Sequence, residues 1–165
     1  MGHANKTEFL PVNIAVLTIS DTRTKADDTS GDTLAERIRA AGHKLIKRDI
    51  VTDDKPAIEA KLKAWIADPA IDVVITTGGT GVTGRDVTPE ALAAVSEKEI
   101  PGFGELFRML SYEAVGSAAM LSRACAGSIA HTAVFSLPGA EQAVRLAMEK
   151  LILPEVGHVV RELTR

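Results

Sequence analysis

The stretch Ile71-Asp72-Val73-Val74-Ile75-Thr76-Thr77-Gly78-Gly79-Thr80-Gly81-Val82-Thr83-Gly84-Arg85-Asp86-Val87-Thr88-Pro89-Glu90-Ala91 limits the fold more than any other: an apolar run stops in a glycine-rich loop and restarts as a helix. Ile71, Val73, Val74 and Ile75 form the β-branched block expected of a strand buried on both faces of a parallel sheet. Thr88-Pro89-Glu90 predicts a helix start, with a threonine hydroxyl to cap a free amide, a proline whose φ is pre-set for the first helical position, and a glutamate at the positive end. Between strand and helix, Gly78, Gly79, Gly81 and Gly84 let the backbone turn through positive φ and approach a ligand, with amides free to face a phosphate. At the loop's end Arg85 suits phosphate oxygens and Asp86 suits Mg²⁺.

Two common nucleotide motifs nearly match and are set aside. Gly79-Thr80-Gly81-Val82-Thr83-Gly84 satisfies G-x-G-x-x-G, but a dinucleotide fold starts its helix inside the glycines, whereas here the helix signal waits for Thr88-Pro89. Gly79 and Gly84 also carry P-loop spacing, yet Arg85 and Asp86 stand where that motif requires Lys and Ser or Thr.

The remaining strands and helices repeat the same device. Asn13 to Ser20 reads as a strand that breaks into the polar loop Asp21 to Gly31, which has no apolar anchor and is expected to be mobile. A helix follows, with Thr33 and Glu36 at capping-box spacing and Leu34, Ile38 and Ala41 on one face, ending at Gly42. Leu45 to Val51, with charges interleaved, suits a sheet edge and leads into Asp53-Asp54. Ile58, Leu62, Trp65 and Ile66 mark a further helix face, read as core. Glu99 to Glu105 reads as a turn before Leu106, Phe107 and Leu110 resume a helical period, and Ser122 to Gly127 as a helix end or connecting turn. Thr132 to Leu137 is a buried strand; Pro138-Gly139-Ala140 turns it into a helix carrying Val144, Met148 and Leu151.

Strands alternating with helices predict an α/β fold, a single three-layer domain with a mostly parallel sheet and helices on both faces. Residues 1–12 are expected to form an N-terminal tail and 13–165 the domain. In such sheets sites gather at the carboxyl ends of strands. Here those ends carry Ser20-Asp21, Asp53-Asp54, Thr77 through Asp86, and Ser136-Leu137-Pro138-Gly139.

The chain's 165 residues, 45% hydrophobic, suit one domain with a full-sized core. A formal charge of −3 provides no basic field for a nucleic acid, and no apolar run approaches a membrane span. Cys125 is the sole cysteine, so no intrachain disulfide forms, and a cytoplasmic location is expected. Met1-Gly2 resembles a myristoylation start, but Lys6 stands where Ser or Thr belongs. His3, His43, His131 and His158 show no metal-ligand spacing.

Thr76 through Gly81, Arg85-Asp86-Val87-Thr88-Pro89-Glu90-Ala91, Pro101-Gly102-Phe103-Gly104-Glu105 and Leu137-Pro138-Gly139 together resemble the molybdopterin-binding domain family of molybdenum cofactor synthesis. The likeness covers essentially the whole chain, and the Asp27-Asp28-Thr29-Ser30-Gly31 stretch resembles the family's B-type members. It implies that Mg²⁺, ATP and molybdopterin bind side by side and that the pterin's terminal phosphate attacks the α-phosphate of ATP. By the same resemblance Asp86 and Asp53 are the catalytic aspartates and Mg²⁺ ligands. Gly78, Gly79, Thr80 and Gly81 cradle phosphate, Ser136, Pro138 and Gly139 form a second ligand-binding strand end, and Ser20 and Asp21 a third wall. The family also implies a homo-oligomer, trimer or hexamer, and a product handed to a molybdate-inserting protein. Some B-type members are non-catalytic pterin binders, the alternative for this chain. It departs from the transferase pattern at Val82-Thr83-Gly84 but keeps Arg85 through Pro89 whole, with Asp53 present.

Overall fold

A computed structural model describes residues 8–165. The readings placed on Met1, Gly2, His3 and Lys6 lie outside the described residues. Six strands form one sheet in the order β2-β1-β3-β6-β5-β4. They are β1 (Asn13–Ile19), β2 (Lys44–Val51), β3 (Val73–Thr77), β4 (Lys98–Glu99), β5 (Cys125–Ile129) and β6 (Thr132–Leu137). β2, β1, β3 and β6 run parallel; β5 pairs antiparallel with β6 and β4 antiparallel with β5. The helices are α1 (Thr29–Ala40), α2 (Lys55–Ile66), α3 (Thr88–Val95), α4 (Pro101–Val115), α5 (Glu141–Ala147) and α6 (Leu153–Leu163).

The strand residues explain why the sheet lies between two helical layers. On one face Ile14, Val16, Val73, Ile75 and Phe135 pack with Leu34 and Ile38 of α1, Phe103 and Phe107 of α4, and Val144, Met148, Val156 and Val160 from the last helices. On the other, Ala15, Leu17, Ile19, Val74 and Val134 pack with Ile58, Leu62 and Trp65 of α2 and with Ala91 and Leu92 of α3. Successive side chains point to opposite faces, so a continuous apolar run is the only pattern that fills both layers. Each such Ile, Leu or Val contributes on the order of 1.5–3 kcal/mol by leaving water. Trp65 is accordingly core. β2 lies at the sheet edge, and its half-exposed residues account for the interleaved charges.

Several boundaries differ from the expectation. α1 begins at Thr29 rather than near Thr33, because Asp28 is its N-cap and accepts from the Gly31 amide at 3.0 Å. The loop after β1 is thereby anchored by a polar group, Asp28, only 1% exposed, and not by an apolar one. Thr88 opens α3, but its hydroxyl donates to the Gly78 carbonyl at 2.9 Å instead of capping an amide. The stretch read as a turn around Pro101-Gly102 is the first turn of α4, held helical by Phe103 against Phe107 and Phe135. Of the stretch Ser122 to Gly127, read as a helix end or connecting turn, the residues from Cys125 on belong to strand β5 (Cys125–Ile129). Within the segment expected as a tail, Val12 is fully buried and donates its N–H to His43 Nδ1 at 3.0 Å.

Candidate functional site

β1 has β2 on one side and β3 on the other, so the chain leaves its carboxyl end in opposite directions and opens a crevice between the loops after β1 and β3. The loops named in the sequence meet there through specific contacts. The Ser20 amide donates to the Val51 carbonyl and the Asp53 amide to Asp21 Oδ1, at 2.9 and 3.0 Å. The Gly78 amide donates to the Leu137 carbonyl at 2.9 Å, and Thr77 Oγ1 to the Pro138 carbonyl at 2.8 Å. Three strand ends are thus tied to the glycine loop or to one another by hydrogen bonds that require no ligand.

Glycine is dictated by space at two points. Gly78, at φ 107°, would place a Cβ inside the Ile19 carbonyl oxygen. Gly79, at φ 71°, would drive one into Thr88 Oγ1 and within 3.1 Å of Asp53 Oδ1. The loop therefore lies close against β1 and α3. Gly81 sits over Asp86, with a Cβ there falling 2.7 Å from Asp86 Oδ2. Gly139 approaches Gly78 from the β6 side, a Cβ at Gly139 standing 3.6 Å from the Gly78 Cα.

Charge in the crevice is unevenly neutralised. Arg85 grips Asp21 with two parallel bonds, Nε to Oδ2 and Nη2 to Oδ1, both 2.9 Å. This grip and the Asp53 amide hold the Asp21 carboxyl below its usual range. Asp86 is opposed by burial, but bonds from the Thr83 hydroxyl at 2.7 Å and the Thr83 amide at 2.9 Å, the Gly81 amide and the charge of Arg123 outweigh it, leaving Asp86 lowered. Asp53 goes the other way: burial first, then the charges of Asp21 and Asp86, raise it. Among the described residues Asp53 has no ion-pair partner.

An unpaired carboxylate beside a second one fits a divalent cation. Among the described residues no three acidic, His or Cys side chains form a metal cage. Mg²⁺ characteristically takes one or two carboxylates and completes its shell with water and substrate phosphate, so Asp53 and Asp86 suit that ion.

Ser20, Gly78 and Gly139 line a cavity of about 190 Å³ with Thr18, Arg23, Asp28, Ser30 and Thr77. The Ser20 hydroxyl accepts from the Thr22 and Arg23 amides at 3.2 and 3.1 Å and so shapes its own loop. Two of the expected site residues lie buried. Ser136 is fully buried and its hydroxyl accepts from Thr76 Oγ1 at 3.0 Å, on the side of the sheet away from that cavity's Thr77. Thr80 is likewise buried, 3% exposed, and its carbonyl accepts from the Arg123 amide at 2.8 Å. Pro138 and Gly139 do face the glycine loop.

Sequence reading passed over Asp28, Ser30 and Arg48. Asp28 accepts from Thr18 Oγ1 at 2.8 Å and from Arg48 at 3.1 Å, and Ser30 Oγ donates to the Gly139 carbonyl at 2.6 Å, tying α1 to the β6 loop. Asp28 and Ser30 fall in the stretch that carried the B-type resemblance, the one signal available for them. Cys125 is largely buried and its thiol pushed up to about 11 by desolvation, which suits a packing role.

Residues 15–158 match the family model described as a probable molybdopterin binding domain. The chain is 56% identical over 155 residues to molybdenum cofactor biosynthesis protein B of Bacillus cereus, covering 93% of this chain and 92% of the relative. A crystal structure of molybdenum cofactor biosynthesis protein B superposes with a TM-score of 0.92 at 55% identity, covering 94% of this chain and 98% of the other. The tungsten cofactor synthesizing protein MoaB of Pyrococcus furiosus gives 0.82 at 38% identity, with the same coverage of both chains. With the match spanning the sheet, the glycine loop and the β6 strand end, this chain belongs to the molybdopterin-binding domain family of molybdenum cofactor biosynthesis proteins.

Proposed function

We propose that this protein adenylylates molybdopterin, joining the pterin's terminal phosphate to the α-phosphate of ATP with release of pyrophosphate. The observation that carries the reading is Asp53, a partly buried carboxylate with no ion-pair partner among the described residues, set against Gly79 of the glycine loop and near enough to Asp86 for that charge to act on it. A phosphate nucleophile is already ionised at neutral pH, so no general base is required of the protein. Its task is to bring two polyanions together and offset their repulsion. Asp53 and Asp86 hold Mg²⁺; when bound, the ion neutralises charge on the ATP phosphates. The Gly79 amide is the one offered to phosphate in this reading, since the Gly78 amide is bonded to the Leu137 carbonyl and the Gly81 amide to Asp86, and Arg85 is free to exchange Asp21 for a phosphate oxygen, since both partners are exposed. Ser20, Pro138 and Gly139 wall the neighbouring cavity in which the pterin binds.

Single-turnover conversion of molybdopterin with Mg²⁺ and ATP, resolved chromatographically, tests this. The wild type is expected to give product and Asp86→Ala to lose about a hundredfold or more in rate, the scale of losing a charge-stabilising group, with its circular dichroism unchanged. Near-normal turnover in Asp86→Ala sinks the role assigned to that residue. One observation favours the alternative, a non-catalytic molybdopterin-binding protein: Arg85 is already engaged by Asp21, and Asp86 by Thr83. No product from the wild type, with molybdopterin still bound, would select it.

Assembly and destination belong to the same proposal. Leu106, Met109, Tyr112 and Val115 of α4, with Met120 and Leu121 just beyond it, are all exposed, an apolar face suited to a homo-oligomer, trimer or hexamer. Among the described residues no helix is long and apolar enough to cross a membrane, and we place the reaction in the cytoplasm. The adenylylated pterin would pass to a molybdate-inserting protein.

A further inference from the structure

Arg123 lies outside the four strand-end loops of the crevice, yet it holds the glycine loop. Its backbone N–H donates to the Thr80 carbonyl at 2.8 Å. Its guanidinium then serves three acceptors: Nε donates to the Gly81 carbonyl at 2.7 Å, Nη2 to the Asp86 carbonyl at 2.9 Å, and Nη1 pairs with Glu90 in the first turn of α3. Gly81 and Asp86 bracket residues 82–85, all of them exposed. Both ends of that exposed segment thus rest on one planar cation, which α3 in turn holds through Glu90.

The other half of the clamp lies within the segment itself. There the Asp86 carboxylate accepts from the Thr83 amide and hydroxyl, while the Asp86 amide donates to the Thr83 carbonyl at 3.0 Å. Asp86 is consequently held at its carbonyl by Arg123 and at its carboxylate by Thr83. The rigid fork of arginine reaches three acceptors in fixed directions, and a lysine ammonium on a flexible stem does not.

We infer that Arg123 is a positioning residue, whose guanidinium joins the Gly81 and Asp86 carbonyls to Glu90 and so sets the loop conformation in which Asp86 presents its carboxylate to the crevice. It acts through the loop and not on the reacting atoms. Only its consequence for turnover rests on the adenylyl-transfer reading; its hold on the loop does not.

Amide hydrogen exchange of the whole chain, for wild type, Arg123→Lys and Glu90→Gln, decides the matter. In Arg123→Lys the Thr83 and Asp86 amides should exchange about ten- to a hundredfold faster, the effect of losing charge-assisted bonds that close a local opening, while the β3 amides keep wild-type rates. Glu90→Gln, which leaves the fork in place but removes its anchor, should give a smaller acceleration confined to the same amides and decides the question if Arg123→Lys does not fold. A residue that merely fills space would be rescued by lysine or would loosen β3 equally. Unchanged loop amides, or acceleration shared with β3, overturn the inference whether or not the wild type makes product. If it does, kcat should fall in Arg123→Lys with the KM for ATP little changed; a rise in KM alone would contradict positioning of Asp86.

Discussion

Replacing Asp53 with Asn should stabilise the free protein while removing its response to Mg²⁺ and ATP. Asp53 is partly buried, lies close enough to Asp21 and Asp86 for both charges to act on it, and is only partly relieved by Arg85, which sits on Asp21. The side chain is isosteric with Asn, so the exchange removes charge and little else. Repulsion between partly exposed charges is worth roughly 0.5–1 kcal/mol after screening, and for a domain of this size that raises Tm by about 1–4 °C. The sign with pH follows from the raised folded-state pKa. Below the ordinary aspartate value of 3.8 the carboxyl is neutral in both folded and unfolded chains and the two proteins should be equally stable. As pH rises through the folded-state value the wild type takes on the repulsion and the variant does not. Ligand reverses the order: at a hundred times its Kd, Mg²⁺-ATP should stabilise the wild type by about 2.7 kcal/mol and Asp53→Asn far less. Differential scanning fluorimetry across pH 3.5–7.5, with and without Mg²⁺-ATP, reads all of this. A free variant less stable than wild type at pH 7, or an undiminished ligand shift, would refute the account of Asp53 as an uncompensated carboxylate awaiting a cation.

Two further outcomes rest on separate observations. Gly78→Ala forces a non-glycine residue to φ 107° and pushes a Cβ into the Ile19 carbonyl, so it should destabilise by roughly 2–4 kcal/mol through backbone strain and a disturbed β1 end; chemical denaturation measures it, and a loss under about 0.5 kcal/mol, the scale of an ordinary surface change, would show that the loop is not held as described. His43 is lowered from its usual value by burial, and its Nδ1 accepts from the Val12 amide, a bond that protonation abolishes. Because the unfolded chain protonates more readily, this contribution is complete above the ordinary value of 6.5 and fades as pH falls through the lower folded-state value. Wild-type Tm should therefore drop more steeply on acidification than that of His43→Gln, and equal slopes would remove His43 from the account.

Much of the fold was legible because the sheet's central strands are buried on both faces. Ile14 to Ile19, Val73 to Ile75 and Thr132 to Leu137 are apolar at most positions because they fill two helical layers, and that demand appears directly in the residues, with only the small hydroxyls of Thr18, Thr132 and Ser136 buried among them. β5 gave no such signal. Its residues, Cys-Ala-Gly-Ser-Ile, are small, and it is a strand because β6 pairs with it antiparallel from Cys125 to Ile129. The start of α4 was hidden for a similar reason: glycines at 102 and 104 argue for a turn, and only the stacking of Phe103 among Phe107 and Phe135 makes a helix the better outcome.

The candidate site divides along the same line. The local order of residues determined that a glycine loop follows a buried strand and that Asp53 and Asp86 stand in the loops after strands, because turn chemistry and apolar runs are local properties of the chain. Which of these groups are free was decided in three dimensions. Ser136 sits at a strand end but on the buried face, bonded to Thr76; Arg85 is spent on Asp21, 64 residues away in sequence. Among the described residues Asp53 is left without an ion-pair partner while Asp86, of the same chemical type, accepts at Oδ2 from the Thr83 amide and hydroxyl, and Arg123 holds a loop 37 residues distant through the Asp86 carbonyl. Such pairings depend on which strand ends the sheet order brings together, and charge neutralisation falls off within a few ångströms, so only the folded chain assigns each partner.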